Sequence, residues 1–341
     1  MRLGIKARAR LVKGTALALL IVGSVVVMIP LAWMISSALK TSQAANTVPP
    51  EWIPREQLKV NIDGKDVYVY DIPVDGEMRQ LALVSKKGPT GTFVNPENPA
   101  EQYELPVASG ERAKVARAHW ENFANAMTAV PFVRYLANTM LIVVFGTLGT
   151  VASCTLVAYG FARFRAPGLP LLFLLLLSTI MLPPQVTLIP TFIIFRWMGW
   201  YDTLLPLIVP AFFANAWDVF LLRQFFMTLP VELDDAARID GCGPWGILWH
   251  VIVPQSVPAL ITVTIFSMLY AWNDFYSPLI YLQTQTHWTV ALGLQAFNAL
   301  YSKQGNLLMA ASTLMVLPPV LIFFFAQRLF IQGVVISGIK G

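Results

Sequence analysis

The ionisable side chains of this chain are sparse, and the longest charged interruption of its apolar second half lies at residues 229–258. Only 13% of the 341 residues are charged, whereas an average domain has about 25%. The stretch begins with Pro230 and three acids, which suit the first turn of a helix because a helix N-terminus carries partial positive charge. The acids are Glu232, Asp234 and Asp235. We therefore predict that a short helix begins here.

A second short helix is predicted after a turn. Gly241 can supply the left-handed residue that ends the first helix, Gly243-Pro244 can open the second, and Pro254 and Pro258 mark its end. An apolar face at helical spacing would anchor the second helix to the rest of the protein, and it consists of Trp245, Leu248, Trp249 and Ile252. The first helix has small residues on one side, so a partner surface can approach its backbone.

The spacing within this stretch is specific. Asp235-Ala236-Ala237 is followed by Asp240-Gly241 and, thirteen residues after that glycine, by Pro254. This pattern resembles the EAA loop of binding-protein-dependent ABC importers, a coupling helix that docks into a cleft of the cytoplasmic ATPase. The resemblance implies an ATPase-coupling role for Asp235, Ala236, Ala237, Asp240, Gly241, Trp245 and Pro254. The usual first residue of that motif is Glu, and Asp235 keeps the charge on a side chain one methylene shorter.

A second polar group lies in the apolar stretch 257–282. Polar side chains recur there every three or four residues, at Thr264, Ser267, Tyr270, Asp274, Ser277 and Tyr281, with Asn273 beside the acid. On one continuous helix they form a polar stripe, and an ionisable residue at membrane depth suggests function. Tyr270, Asn273, Asp274 and Ser277 are therefore candidates for a transport pathway or gate. The alternative is that Asp274 and Asn273 only bond to a neighbouring helix.

No catalytic, nucleotide or metal site is evident. The chain has no G-x-x-x-x-G-K-[ST] phosphate loop, no G-x-S-x-G nucleophile and no carboxylate pair placed for acid–base work. Its three histidines and two cysteines form no metal-ligand or disulfide pattern, and they are His119, His250, His287, Cys154 and Cys242. We expect a chain that is not an enzyme and holds no cofactor, with any ATP and magnesium bound by a partner ATPase.

The composition is that of an integral membrane protein. Apolar residues make up 56% of the chain, and the mean hydropathy is +0.60. Six apolar stretches are near the about 20 residues that a bilayer-spanning helix needs, and they are 14–39, 138–161, 169–195, 204–226, 257–282 and 307–330. A basic tail, residues 1–13, precedes them. The net charge of +5 therefore concerns membrane topology, and no basic stripe with aromatic residues indicates a nucleic-acid partner.

The basic residues predict that both termini lie in the cytoplasm, because cytoplasmic loops carry an excess of Lys and Arg. Six spans then place the loop 229–258 in the cytoplasm as well. That side carries Arg163, Arg165, Arg223, Arg238, Arg328 and Lys340. The links 196–203 and 283–306 fall outside and have few basic residues.

Residues 40–131 form a long polar segment that the topology places outside the membrane. Within it, a run of alternating Val, Ile and Tyr residues flanks Asp63-Gly64, which predicts a β-hairpin. We expect a small β-rich insertion at about 55–118, and the alternative is an unstructured loop. A membrane anchor or scaffold for this insertion would need fewer than six spans.

Further runs resemble the maltose-type permeases that import sugars, over about residues 14–54 and 119–341. They are Pro131 to Asn138, Leu182-Pro183-Pro184-Gln185, Ala271 to Phe275 and Gln332-Gly333. The resemblance implies an all-α membrane protein of ABC type I importer architecture, with a five-span permease core at 132–341 after the first span. It also implies a second permease in a heterodimer, two ATP-binding subunits, an external solute-binding protein, and a carbohydrate or polyol as solute. The alternative is an ion- or proton-coupled transporter or channel in which Asp274 and Asp218 are the coupling groups.

Overall fold

The computed structural model of the protein describes residues 5–47, 49–62, 64–74, 76–300 and 304–338. The chain divides into two compact units. One contains residues 1–126 and 300–313, and the other contains residues 127–299 and 314–341. Part of the predicted basic tail, including Arg2, and the C-terminal Lys340 lie outside the described residues.

The first unit contains a long apolar helix and a group of antiparallel strands. Its helices are α1 (Ile5–Ala38), the short α2 (Ser42–Ala45) and α3 (Glu121–Ala129), which ends just beyond the unit. Its strands are β1 (Arg55–Gln57), β2 (Lys59–Ile62), β3 (Lys65–Val74), β4 (Glu77–Lys87), β5 (Thr90–Val94), β6 (Gln102–Pro106), β7 (Glu111–Arg112) and β8 (Lys114–Ala116). The larger sheet has the order β2-β3-β4-β5-β6 with β7 beside β3, and β1 pairs with β8.

The turn between β2 and β3 is where the sequence predicts a hairpin. Ile62 pairs with Lys65 across this turn, and Gly64 has φ +80°, a conformation that glycine adopts without a steric penalty. Asp63 lies outside the described residues. The sheet buries apolar side chains on both faces, among them Val69 and Ala82 in one cluster and Ile72, Leu81 and Phe93 in another. These clusters give the strands a core of their own without a disulfide.

The second unit is helical. Its elements are α4 (Phe132–Arg163), α5 (Leu169–Ser178), α6 (Pro184–Trp197), α7 (Leu205–Ile208), α8 (Ala216–Thr228), α9 (Glu232–Ile239), α10 (Pro244–Ile247), α11 (Val253–Gln255), α12 (Val257–Asn273), α13 (Tyr276–Tyr281), α14 (Val290–Leu300) and α15 (Gly305–Gly338), of which α14 and α15 are shared with the first unit. A single apolar core joins α4, α8 and α12 to the loop 229–258. The core contains Ala158, Leu222, Phe226, Ala237, Ile247, Leu248, Ile252 and Val263.

Among the described residues, four helices are long and apolar enough to cross a membrane, namely Val12–Ala38, Phe132–Arg163, Leu205–Phe226 and Gly305–Phe325. Two further apolar pairs are sharply bent, Leu169–Met181 with Gln185–Trp197 by 102° and Pro244–Gln255 with Val257–Asn273 by 80°. The total is six if each bent pair is one span. The fifth predicted helix differs from the structure, because α12 ends at Asn273 rather than continuing to residue 282.

Candidate coupling loop and interrupted spans

Helix α9 begins and ends close to the predicted positions. Gly241 has φ +85°, and its N–H donates to the Arg238 carbonyl at 3.0 Å. The next N–H, of Cys242, donates to the Ala237 carbonyl at 2.9 Å. This pair of hydrogen bonds is the Schellman arrangement, which satisfies carbonyls that the helix end would otherwise leave free. The prediction that Gly241 ends the first helix is confirmed.

The EAA-like residues lie on two different faces of α9. Ala237 is buried in the core of its own chain, 8% exposed, whereas Asp235, Ala236 and Asp240 are exposed. The apolar side chain of Ile239, on the outer surface, is 88% exposed. The Asp235 carboxylate accepts a hydrogen bond at 2.8 Å from Arg238 on the same helix. Exposed pairs of this kind contribute only about 0–1 kcal/mol, so this ion pair adds little to the stability of the outer face of α9.

The inner face of α9 is fixed by a buried ion pair that the sequence did not reveal. The Asp234 Oδ2 atom lies 3.0 Å from the Arg163 Nε atom at the end of α4, and the two side chains are 2% and 6% exposed. Arg163 also donates to the Leu229 carbonyl at 3.0 Å, and Tyr159 of α4 donates to the Pro244 carbonyl at 3.0 Å. The last turns of α4 therefore hold both helices of the loop. Arg163 at the end of α4 and Asp234 in the first turn of α9 are each ordinary charges for a helix end. They are far apart in the sequence, so no local spacing predicts that they pair.

The second helix of the loop buries only part of the face that was predicted to anchor it. It runs through α10, a π-helical turn at Leu248–Ile252 and α11. Ile247, Leu248 and Ile252 are buried, whereas Trp245 and Trp249 are 65% and 53% exposed. The prediction is confirmed for Leu248 and Ile252 and wrong for the two tryptophans. The wider π turn at Leu248–Ile252 takes Trp249 out of the i, i+3, i+4, i+7 register, and Trp245 lies before that turn with its side chain exposed. Pro258 opens α12 rather than ending this helix.

The predicted polar stripe of the fifth span does not lie on one helix. Asp274 has left the helix, with φ −64° and ψ 118°, and its Oδ1 atom accepts from the Ser277 N–H at 3.1 Å. This side chain caps the start of α13, which accounts for the interruption. Tyr270 is 74% exposed on this chain, and Asn273 is exposed and donates to the Leu269 carbonyl at 2.8 Å. The pathway candidates therefore sit at the far end of α12 from the loop 229–258.

The fourth span contains Pro206 and Pro210, either of which can kink a helix, and the structure breaks it at Ala214, a position that the sequence did not predict. After α7 and a 3-10 turn at Val209–Phe213, Ala214 has φ +59° and ψ 160°, a region that is close to glycine-only. The Asn215 side chain then accepts from the Asp218 N–H at 2.9 Å and donates to the Asp218 carboxylate at 2.7 Å. Asp218 is 7% exposed. The available signal was Asn215 three residues before Asp218, an N-cap spacing inside an apolar run.

Helix α4 supports this break from the side. The Ser153 hydroxyl accepts from the Ala214 N–H and donates to the Ala211 carbonyl, each at 3.0 Å. The Cys154 sulfur accepts from the Asn215 N–H at 3.4 Å. These contacts satisfy backbone groups that the broken helix leaves free, as an apolar membrane requires.

A third cluster joins the two links predicted to be outside. The Asp202 carboxylate accepts from the Gln283 and Thr284 N–H groups, each at 2.9 Å, and from the Thr284 hydroxyl. Burial opposes ionisation, but these hydrogen bonds outweigh it and hold the pKa of Asp202 well below its usual range. Arg134 and Asn138, from the segment that resembles maltose-type permeases, donate to the Thr286 carbonyl at 3.0 and 2.9 Å.

Comparison with known proteins assigns the chain to a family. Residues 155–336 match the family model described as the binding-protein-dependent transport system inner membrane component. The chain belongs to this family. The matched range contains the whole loop 229–258 and both interrupted spans. The resemblance to importer permeases is therefore confirmed, the family is one of permease subunits rather than enzymes, and nothing in the comparisons favours an ATPase-independent transporter.

Named relatives and a solved structure agree with the family. The chain is 31% identical over 210 residues to the arabinooligosaccharides transport system permease protein AraQ of Bacillus subtilis (strain 168), covering 62% of this chain and 74% of that protein. It is 33% identical over 226 residues to the sn-glycerol-3-phosphate transport system permease protein UgpE of Yersinia pestis bv. Antiqua (strain Antiqua), covering 64% and 80%. A chain in the crystal structure of a bacterial ABC transporter that imports the acidic polysaccharide alginate has a TM-score of 0.66 at 17% identity, covering 96% of this chain and 99% of that one. The fold is therefore shared with that chain.

Proposed function

We propose that this permease passes a carbohydrate or a related polyol across the membrane after an external solute-binding protein delivers it. The support is the names of its relatives, which are arabinooligosaccharide and sn-glycerol-3-phosphate transport proteins, both for polyhydroxylated solutes. A ligand screen on the solute-binding protein that supplies this permease tests the proposal. We expect a sugar or polyol to bind, and an amino-acid or metal-ion ligand would contradict the solute class.

The transporter we propose has further subunits. A second permease forms a heterodimer with this chain, and two ATP-binding subunits in the cytoplasm hold ATP and magnesium. The 341 residues contain no phosphate loop of their own, and a chain of this family works in a binding-protein-dependent system. ATP-driven closure of the ATPase pair would then switch the cavity between the permeases from inward-facing to outward-facing, as a ligand on a partner biases a two-state bundle.

The ATPase docks, in this proposal, on the outer face of α9. The observation that carries the assignment is the division of α9 into a buried side fixed to α4 and an exposed side with Asp235, Ala236 and Ile239. Ala236 lies between the exposed Asp235 and the exposed Ile239, and its small side chain permits close approach of a partner surface. Ala237, although part of the EAA-like run, supports the docking face from beneath because it is buried in its own chain.

The topology that accompanies this proposal has six spans with both termini in the cytoplasm. In it, α10 and α11 belong to the cytoplasmic loop, α12 with α13 forms the interrupted fifth span, and the β-rich segment at about 55–118 lies outside. Tyr270, Asn273, Asp274 and Ser277 then lie toward the outer half of the fifth span, where Tyr270 and Asn273 are available to line the pathway.

A site-specific photo-crosslinker tests the docking face. Incorporated in place of Ala236 in the assembled transporter, it should give a covalent product with the ATP-binding subunit. Ala124, an exposed alanine on α3, is the matched control and should give no such product. Equal crosslinking at both positions, or crosslinking to the ATPase at neither position in a complex that still contains it, would exclude α9 as the docking element.

A further inference from the structure

We infer that Arg163 and Asp234 are positioning residues that make α9 move together with α4, and that they thereby pass the motion of the ATPase to the membrane spans. This inference rests on the proposed docking of α9. It assigns a mechanical role to a pair outside the EAA-like spacing. The connected elements are the docking helix and a 32-residue helix long enough to cross the membrane.

The pair is distinguished from every other ion pair of the described residues by its burial. Its side chains are 6% and 2% exposed, whereas each remaining pair has at least one side chain above a quarter exposed. Water screens and loosens an exposed pair, but a buried pair cannot part without leaving a charge in an apolar surrounding. The connection between α9 and α4 therefore resists separation under load.

The geometry of Arg163 adds direction to this connection. Its Nε atom lies 3.0 Å from the Asp234 carboxylate, while its Nη2 atom donates to the Leu229 carbonyl at 3.0 Å, just before α9. One guanidinium thus holds the helix and the chain leading into it. Apolar contacts alone would allow α9 to rotate or slide, whereas a guanidinium that is paired with a buried carboxylate and donates to the Leu229 carbonyl opposes both motions.

The adjacent acid provides an internal contrast. Asp235 pairs with Arg238 on α9 itself, with side chains 60% and 57% exposed. That pair lies within one helix, so it cannot transmit force between elements. Removing the Asp235 pair should lower the amount of ATPase that binds. Removing the Asp234 pair should lower the amount of solute transported per ATP hydrolysed. The two carboxylates, one residue apart, therefore separate binding of the ATPase from coupling to it.

The test uses the complete transporter in liposomes and measures solute transported per ATP hydrolysed, together with the amount of ATPase that co-purifies. In D234N the ATPase should still assemble and hydrolyse ATP, while transport per ATP falls by about 5-fold to 150-fold, the usual range of coupling between two sites. D234E, which can restore the ion pair, should recover most of the ratio. E77Q, which removes an exposed ion pair with Arg79 within β4, is the matched control and should leave both the amount of bound ATPase and the ratio unchanged, whereas D235N should lower the amount of ATPase that co-purifies.

In D234N the buried Arg163 loses its acidic partner, and this unpaired charge could itself disturb the protein. A double variant that removes both charges avoids this effect. R163M/D234L replaces the pair with apolar side chains, which often preserves stability. We expect an assembled transporter whose transport per ATP stays low. A native ratio in this variant would overturn the inference and leave the pair as a packing feature. Absence of the crosslink from position 236 to the ATPase in a transporter with the native Arg163 and Asp234 would instead overturn the proposed docking, so the two failures are distinguishable.

Discussion

Two apolar segments of the second unit are interrupted in the same local way but supported differently. Asn215 and Asp274 each cap the following helix by accepting an N–H three residues ahead, at 2.9 and 3.1 Å. The break at Ala214 is held from the side by Ser153 and Cys154 of α4. At the other break, the hydrogen bonds of Asp274 and Asn273 stay within their own segment. The neighbouring Trp272 donates to the Met315 carbonyl of α15 at 3.2 Å, so α15 contacts a side chain beside this break, whereas α4 bonds the backbone of the Ala214 break itself.

Removing the cap at the supported break should have the largest effect. N215L removes the acceptor for the Asp218 N–H and the amide that bonds the Asp218 carboxylate, which is 7% exposed. A lost cap costs about 0.5–2 kcal/mol, and a buried carboxylate without its donor costs at least about 1–3 kcal/mol more. Thermal unfolding of the purified permease in detergent should show a clear fall in Tm. An unchanged Tm would mean that water or another group replaces the amide.

Removing the lateral support should have an intermediate effect. S153A leaves the Ala214 N–H and the Ala211 carbonyl without the hydroxyl that bridges them, at a cost of about 1–3 kcal/mol. The control is S312A, because the Leu308 carbonyl on the same helix, at 2.8 Å, is the only partner of the Ser312 hydroxyl within the described part of the chain. We expect a lower Tm for S153A and little change for S312A. Equal shifts would show that α4 does not hold the break.

The cap at the break beside Asp274 should matter less. D274A removes the acceptor for the Ser277 N–H, which typically costs about 1 kcal/mol, and leaves no deeply buried partner behind. D274N keeps a capping oxygen and should unfold at nearly the native temperature. Transport by the assembled complex separates capping from a pathway role. If D274N transports normally while D274A does not, the oxygen position matters and the charge does not.

The sequence was informative where the cause is local. The glycine that ends α9 and the hairpin at Gly64 follow from conformational preferences that neighbouring residues reveal. The Arg163–Asp234 pair, the Ser153 bridge and the inward face of the second loop helix depend on residues far apart in the chain or on a π turn. Trp245 illustrates the limit, because helical spacing placed it in the anchor although it is 65% exposed.

The smallest effect is expected at Ala214 itself, and its sign is the informative quantity. With φ +59° and ψ 160°, this alanine occupies a conformation that costs a residue with a Cβ about 1–3 kcal/mol. A214G removes that strain but adds about 0.5–1 kcal/mol of backbone entropy to be lost on folding, so a net gain of about 1 kcal/mol is expected. A216G, two residues on and in the first turn of α8, has no strain to relieve and should be destabilising. Opposite shifts in Tm would show that α4 holds Ala214 in a strained conformation, whereas two losses of similar size would show that the break costs the chain nothing and that the Ser153 contact is incidental to it.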